Sequence, residues 1–170
     1  MKKALNAWSV PDSVPFPEMF AQLSAAGYDG IELNLDAPDS SAHSLSMETT
    51  PAELAAIREL SERYHLPIHS ISSSLYGAET LGSDDISGRE LGRNILRRQL
   101  ELARALGSGG ILTVPGGIGP ERSIRRAYEN SFESLYALRD EITDSGVKVG
   151  LENVWNNFFA SPKDMVSFID

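Results

Sequence analysis

Apolar and polar positions alternate along this chain with two different periods. Short runs of period two, the mark of a strand, are separated by longer stretches with the 3.6 period of a helix. The first run, over 3–8, sets Leu5 and Ala7 against Asn6 and Trp8. After a Pro-containing loop the spacing predicts a helix over about 17–26, with Gly27 placed to end it. A second strand follows over 30–35, where Ile31, Leu33 and Leu35 alternate with Glu32 and Asn34. Thr50-Pro51-Ala52-Glu53 is a capping box with proline at the first helical position, opening a helix to about Tyr64. Further strands are expected over 67–72, 111–114 and 147–152, with helices over about 89–106 and 122–143 between them. Ser161-Pro162-Lys163-Asp164 caps a last helix that should carry Met165, Phe168 and Ile169 inward.

Strands alternating with helices imply a parallel sheet, because each crossover runs through a helix. Two architectures fit: an open doubly wound sheet or part of a (β/α)8 barrel. Buried strands of an open parallel sheet are usually continuous apolar runs. Here Val147, Val149 and Leu151 alternate with Lys148, Gly150 and Glu152, as the first two strands also alternate. One face suits helix packing and the other turns polar toward the strand's C-terminal end, which favours the barrel. The expected fold class is α/β, of TIM-barrel type, with about five βα units and an incomplete barrel. A complete barrel takes about 250 residues. Residues 1–170 therefore read as a single barrel-type domain truncated at its C-terminus, and the freshly capped last helix ends without a terminating glycine.

Composition narrows the class. With 170 residues, 41% of them hydrophobic, the chain can fill a core. It has no cysteine, which excludes disulfides, thiolate metal sites and a Cys nucleophile. Fifteen Lys+Arg against 24 Asp+Glu leave a net charge of −9, which repels phosphate backbones and argues against nucleic acid as a partner. The N-terminal apolar stretch is too short for a signal peptide or a membrane span, so a cytoplasmic protein with no membrane partner is expected.

Glu152 is the most informative residue. It ends a strand on the polar phase, where barrel enzymes place catalytic groups, and Asn153, Trp155, Asn156 and Asn157 follow it. A carboxylate there suits a hard divalent cation or general-base work on a C–H beside a carbonyl; pairing with Lys148 is the structural alternative. His69, inside the third strand, is either a substrate or metal group or a hydrogen-bonded rim residue. Glu32 and Asn34 share one face of the second strand and suit polyol hydroxyls, though Glu32 equally suits a structural carboxylate paired with a base. Trp8 and Trp155 near strand ends suit an aromatic wall beside a sugar ring or plain core packing, and Asn6 reads similarly. The run 114–120, Val-Pro-Gly-Gly-Ile-Gly-Pro, lacks both the GxxxxGK[ST] and GxGxxG patterns and reads as a turn.

Together these segments resemble a known family. Val149-Gly150-Leu151-Glu152-Asn153-Val154-Trp155-Asn156-Asn157-Phe158-Phe159, followed by Ser161-Pro162, resembles the fifth-strand motif of the sugar phosphate isomerase/epimerase family of xylose isomerase-like TIM barrels. Gly27-Tyr28-Asp29-Gly30-Ile31-Glu32-Leu33 is similar to its second-strand signature, and Leu106-Gly107 through Pro115-Gly116-Gly117 to its fourth-strand segment. The resemblance implies a small-molecule sugar or sugar phosphate substrate, isomerised or epimerised through an enediolate. It implies that Glu152 is both metal ligand and acid/base catalyst. The implied cofactor is a divalent metal, manganese first, with magnesium, cobalt or zinc as alternatives. Asn6, Trp8, Glu32, His69 and Trp155 are the expected substrate-binding residues. In that family the remaining ligands come from strands six to eight, which this chain lacks. Where some members carry a substrate-binding Glu six residues after the metal Glu, this sequence has Phe158. A related endonuclease branch needs a histidine at the end of the fourth strand; Val114-Pro115 stands there instead. The alternative expectation is a catalytically inactive partial barrel that binds a partner or associates with itself as a homo-oligomer through unpaired edge strands.

Overall fold

A computed structural model describes residues 1–77, 79–117 and 123–170. Five strands, β1 (Ala4–Asn6), β2 (Gly30–Leu35), β3 (Ile68–Ser73), β4 (Gly110–Thr113) and β5 (Lys148–Leu151), form one sheet in the order β1-β2-β3-β4-β5. Every neighbouring pair is parallel. Sequential order with right-handed crossovers puts all the connecting helices on one side, as in a barrel wall; a doubly wound sheet would reverse direction. The helices are α1 (Phe16–Ala25), α2 (Pro51–Arg63), α3 (Ile86–Leu106), α4 (Ile124–Tyr136), α5 (Arg139–Ser145) and α6 (Pro162–Ile169). None among the described residues is long and apolar enough to cross a membrane.

Local chemistry explains most boundaries. The Thr50–Glu53 capping box forms in full at the start of α2. Gly107 ends α3 at φ +71, a left-handed conformation that costs glycine no Cβ clash. Two differences from expectation have clear causes. Asn6 stops β1 early: its side chain accepts the Trp8 N–H and turns Ala7–Ser9 into a single 3-10 turn. The long fourth helix breaks into α4 and α5 at Ala137 and Leu138, where Leu138 is driven fully into the core. Its expected start, like the end of the Gly/Pro turn, falls in 118–122, outside the described residues.

The main core lies between the sheet and its helices. Ile31, Leu33, Leu35, Ile71 and Ile111 point to that side and pack on Met19, Phe20, Leu54, Ile57, Ile95 and Leu96. The β3–β4 ladder pairs at a single position, Ile71 with Ile111. Gln99 of α3 reinforces it, its amide donating to Ile71 O at 2.9 Å and Leu112 O at 3.1 Å. A second, aromatic cluster of Phe158, Phe159 and Phe168 packs against Tyr128 beyond the end of β5. Phe168 enters it as expected, whereas Ile169 is 63% exposed because it falls on the outer side of α6.

Candidate functional site

The opposite face of the sheet carries the polar phase of each strand. Register sets Asn6 beside Glu32, Glu32 beside Ser70, and Asn34 beside Ser72. These side chains form one network. Glu32 Oε1 accepts from Asn6 Nδ2 at 2.6 Å, and its Oε2 accepts from Ser70 Oγ at 2.5 Å. Ser72 Oγ accepts from Asn34 Nδ2 at 2.6 Å and from Asn6 Nδ2 at 3.3 Å. Glu32 is thus held by neutral donors, not by the base that would make it half of an ion pair. Asn34 is buried, and its Oδ1 has no hydrogen-bond partner in the protein. A buried unpaired acceptor on an inner face costs about 1–3 kcal/mol unless something donates to it.

Glu152 directly follows β5, and its N–H extends the ladder to Thr113 O at 2.9 Å. Strand alternation keeps it in phase with Gly150, which is paired with Leu112 on the inner face. Burial pushes the Glu152 carboxyl above the usual glutamate range, and the Glu32 carboxylate adds a like-charge push in the same direction. β2 and β5 are three strand spacings apart, about 14 Å in a flat sheet. Curling of the sheet brings the two carboxylates close enough to sense each other. No Lys or Arg among the described residues forms an ion pair with Glu152, so Lys148 does not neutralise it.

The remaining candidates divide clearly. Trp8 stands at the C-terminal mouth, 52% exposed, with its indole Nε1 donating to Asp36 Oδ2 at 3.0 Å. Trp155 lies past Glu152 and is 94% exposed, packed on nothing in the inner network. His69 belongs to neither group. It is the second residue of β3, so it lies near the N-terminal end of the sheet while Glu152 lies at the C-terminal end. Its ring lies over Gly30, where an added Cβ would sit 2.2 Å from His69 Cδ2. The structure therefore brings Asn6, Glu32 and Glu152 to one face, with Trp8 at its mouth, and leaves His69 apart.

Ser70, Ser72 and Ser74 make no nucleophile elbow, but their period-two spacing in the sequence is the signal that puts them on this face. Gly116 is a packing residue: a Cβ there would meet Ser131 Oγ at 2.7 Å and Phe158 Cε2 at 2.8 Å. For a metal, the donor chemistry is partial. Among the described residues no group of three His, Cys, Asp or Glu side chains is placed to hold an ion. Glu152 fits as one hard oxygen ligand, while both oxygens of Glu32 are already hydrogen-bonded.

Comparison with known proteins follows the same lines. None of the curated proteins compared with the chain matches it. Among solved structures, a D-psicose 3-epimerase crystallised in the presence of D-fructose superposes with a TM-score of 0.80 at 18% identity, over 99% of this chain and 59% of that one. A D-allulose 3-epimerase from Methylomonas sp., in complex with D-allulose, gives 0.73 at 21% identity, over 99% and 58%. The IOLI protein with a bound zinc atom gives 0.68 at 18% identity, over 89% and 51%. At such identities the likeness shows the fold, and the chain spans little more than half the length of these proteins. The family model for the xylose isomerase-like TIM barrel matches residues 20–170, most of the chain. Five parallel strands in sequential order, with the polar phase gathered on the inner face, are part of that barrel, and the chain belongs to the xylose isomerase-like TIM barrel family.

Proposed function

We propose that this protein acts on a sugar or sugar phosphate as an isomerase or epimerase, with Glu152 as its acid/base group and a metal ligand. The observation that carries this reading is the pair of unlike carboxylates on one inner face. Glu32 is held in place by Asn6 and Ser70, and Glu152 is partly buried with no ion pair among the described residues, its proton affinity raised. A carboxyl shifted toward neutral pH can both take and return a proton at a carbon beside a carbonyl. A carboxylate has about four acceptor positions, so Glu32 retains capacity for sugar hydroxyls after binding Asn6 and Ser70. On this reading Asn6 and Glu32 orient the polyol, Trp8 walls one side of the mouth, and Trp155, exposed just past Glu152, is a further aromatic contact for the sugar. A divalent cation, manganese by preference, would polarise the sugar carbonyl, with Glu152 supplying one of its ligands. The solved neighbours include epimerases of psicose and allulose and one protein with a bound zinc atom, which supports the sugar class and the metal.

We read residues 1–170 as a single barrel-type domain. A net charge of −9 supports a small-molecule enzyme over a nucleic-acid binder, and we place it in the cytoplasm. The test is C3–H exchange of D-psicose and D-fructose in deuterated buffer, followed by NMR with added manganese. Exchange by the unaltered chain and its loss in Glu152→Gln, by about 10²–10⁴-fold, is the expected result. Equal rates in the two would remove Glu152 from the chemistry. A second reading rests on β1 and β5, which each pair on one side only within the described sheet. On that reading two copies join through their edges. Sedimentation at increasing concentration would then give a dimer, and a monomer throughout would dismiss it.

A further inference from the structure

Asp36 is nearly fully buried, 4% exposed, yet it spends both carboxylate oxygens on neutral donors. Oδ1 accepts from Ser74 Oγ at 2.5 Å and Oδ2 from Trp8 Nε1 at 3.0 Å. It follows β2 in the same phase as Glu32 and Asn34, and its own N–H is fixed on Leu45 O at 2.9 Å. Burying a carboxylate is costly, and these donors offset that cost only while the indole stays in place. Trp8 presents the complementary oddity. A tryptophan serving the core would be covered and one serving nothing would swing free, but Trp8 is 52% exposed while both its indole and its backbone N–H are held. Its backbone N–H donates to Asn6 Oδ1 at 2.8 Å, and Asn6 itself bonds Glu32 and Ser72.

The structure assigns Asp36 as a positioning residue that clamps the Trp8 indole as a fixed apolar wall at the mouth of the polar face, fit for the C–H face of a sugar ring. The inference rests on the sugar reading above and adds the residue that makes the wall rigid. A sugar offers an apolar C–H face with hydroxyls around its edge. A held aromatic plane beside Asn6 and Glu32 matches both at once. Holding the ring before the ligand arrives removes the ordering cost from binding.

Two measurements separate the clamp from the sugar. In 15N-indole spectra the chain gives two tryptophan side-chain signals, and that of Trp8 is the one lost in Trp8→Ala. Without sugar, the Trp8 indole N–H should exchange with solvent at least tenfold more slowly than that of Trp155, and Asp36→Asn should erase most of the difference. With D-psicose or D-fructose as probe, Asp36→Asn should weaken binding about 3–10-fold. The double variant should bind no more weakly than Trp8→Ala alone, because Asp36 acts through that ring. Ser74→Ala loosens the same carboxylate from an exposed position and should move both readouts the same way by less, so the test survives if Asp36→Asn fails to fold. Unchanged Trp8 exchange in both variants, or losses that add in the double variant, would overturn the clamp. Sugar binding that is intact in Asp36→Asn would overturn its role while leaving the sugar reading standing. No sugar response in the unaltered chain, with Trp8 still protected, would overturn the sugar reading and the wall together.

Discussion

The inner face of the sheet has two unlike halves. Across β1 to β3, Asn6, Glu32, Asn34, Ser70 and Ser72 form a continuous hydrogen-bonded network. Across β4 and β5 the same face carries Gly110, Leu112 and Gly150, with Lys148 at the N-terminal end of β5 and Glu152 just beyond its C-terminal end. The first half is a set of positions whose rotamers are fixed by one another. The second offers one carboxylate with little to lower its proton affinity and a neighbouring charge that raises it. A hydrogen-bonded network and a raised carboxyl thus occupy two sides of one surface. The networked side, with Asn34 Oδ1 still open to a donor, suits recognition under the proposed function, and the Glu152 side suits proton transfer.

The halves also differ in what supports them. β1 to β3 rest on the large aliphatic core, whereas the segment after β5 rests on Phe158, Phe159, Phe168 and Tyr128. Phe158 is 3% exposed and touches each of the other three rings of this cluster. Phe158→Ala should therefore cost about 3–5 kcal/mol in urea unfolding. Hydrogen exchange should show the loss first around β5 and α6, with β1 to β3 still protected. Uniform loss would mean that the two halves are one cooperative unit. Glu32→Ala comes next in size. It strands the Asn6 amide and the Ser70 hydroxyl, at about 1–3 kcal/mol, and Glu32→Gln should recover part of that because its amide oxygen still accepts. If Gln proves as costly as Ala, the charge on Glu32 matters more than its acceptors.

Much of the architecture was legible because parallel βα units print both periods into the sequence. The capping box at Thr50, Gly107 after α3 and the rim position of Glu152 were all readable from local rules. What was not legible depended on contacts between distant residues. A register shift between Ile31 and Glu32 breaks the period-two pattern where His69 lies, and Gly30 then makes room for its ring. No glycine or proline marks the break at Leu138, which follows from the core's claim on that side chain. Nothing local sets Asp36 apart, because its partners Trp8 and Ser74 come from two other segments.

The smallest expected effect probes the reactive side directly. Burial and Glu32 raise the Glu152 carboxyl, so the folded protein binds its proton more tightly than the unfolded chain does. Ionising Glu152 therefore lowers stability, and the loss sets in as pH rises from the ordinary glutamate range through the raised folded value. Below that range both states are protonated and the penalty vanishes. Glu152→Gln, which cannot ionise, should then melt slightly higher than the unaltered chain at pH 8, by on the order of 1 °C for a domain of this size. The two should coincide near pH 4. Glu152 is only half-buried, and solvent screening keeps the effect this small. A variant that melts lower at pH 8 would show that Glu152 is stabilised by a partner after all, and the contrast between the networked half and the half that carries the raised carboxyl would fall with it.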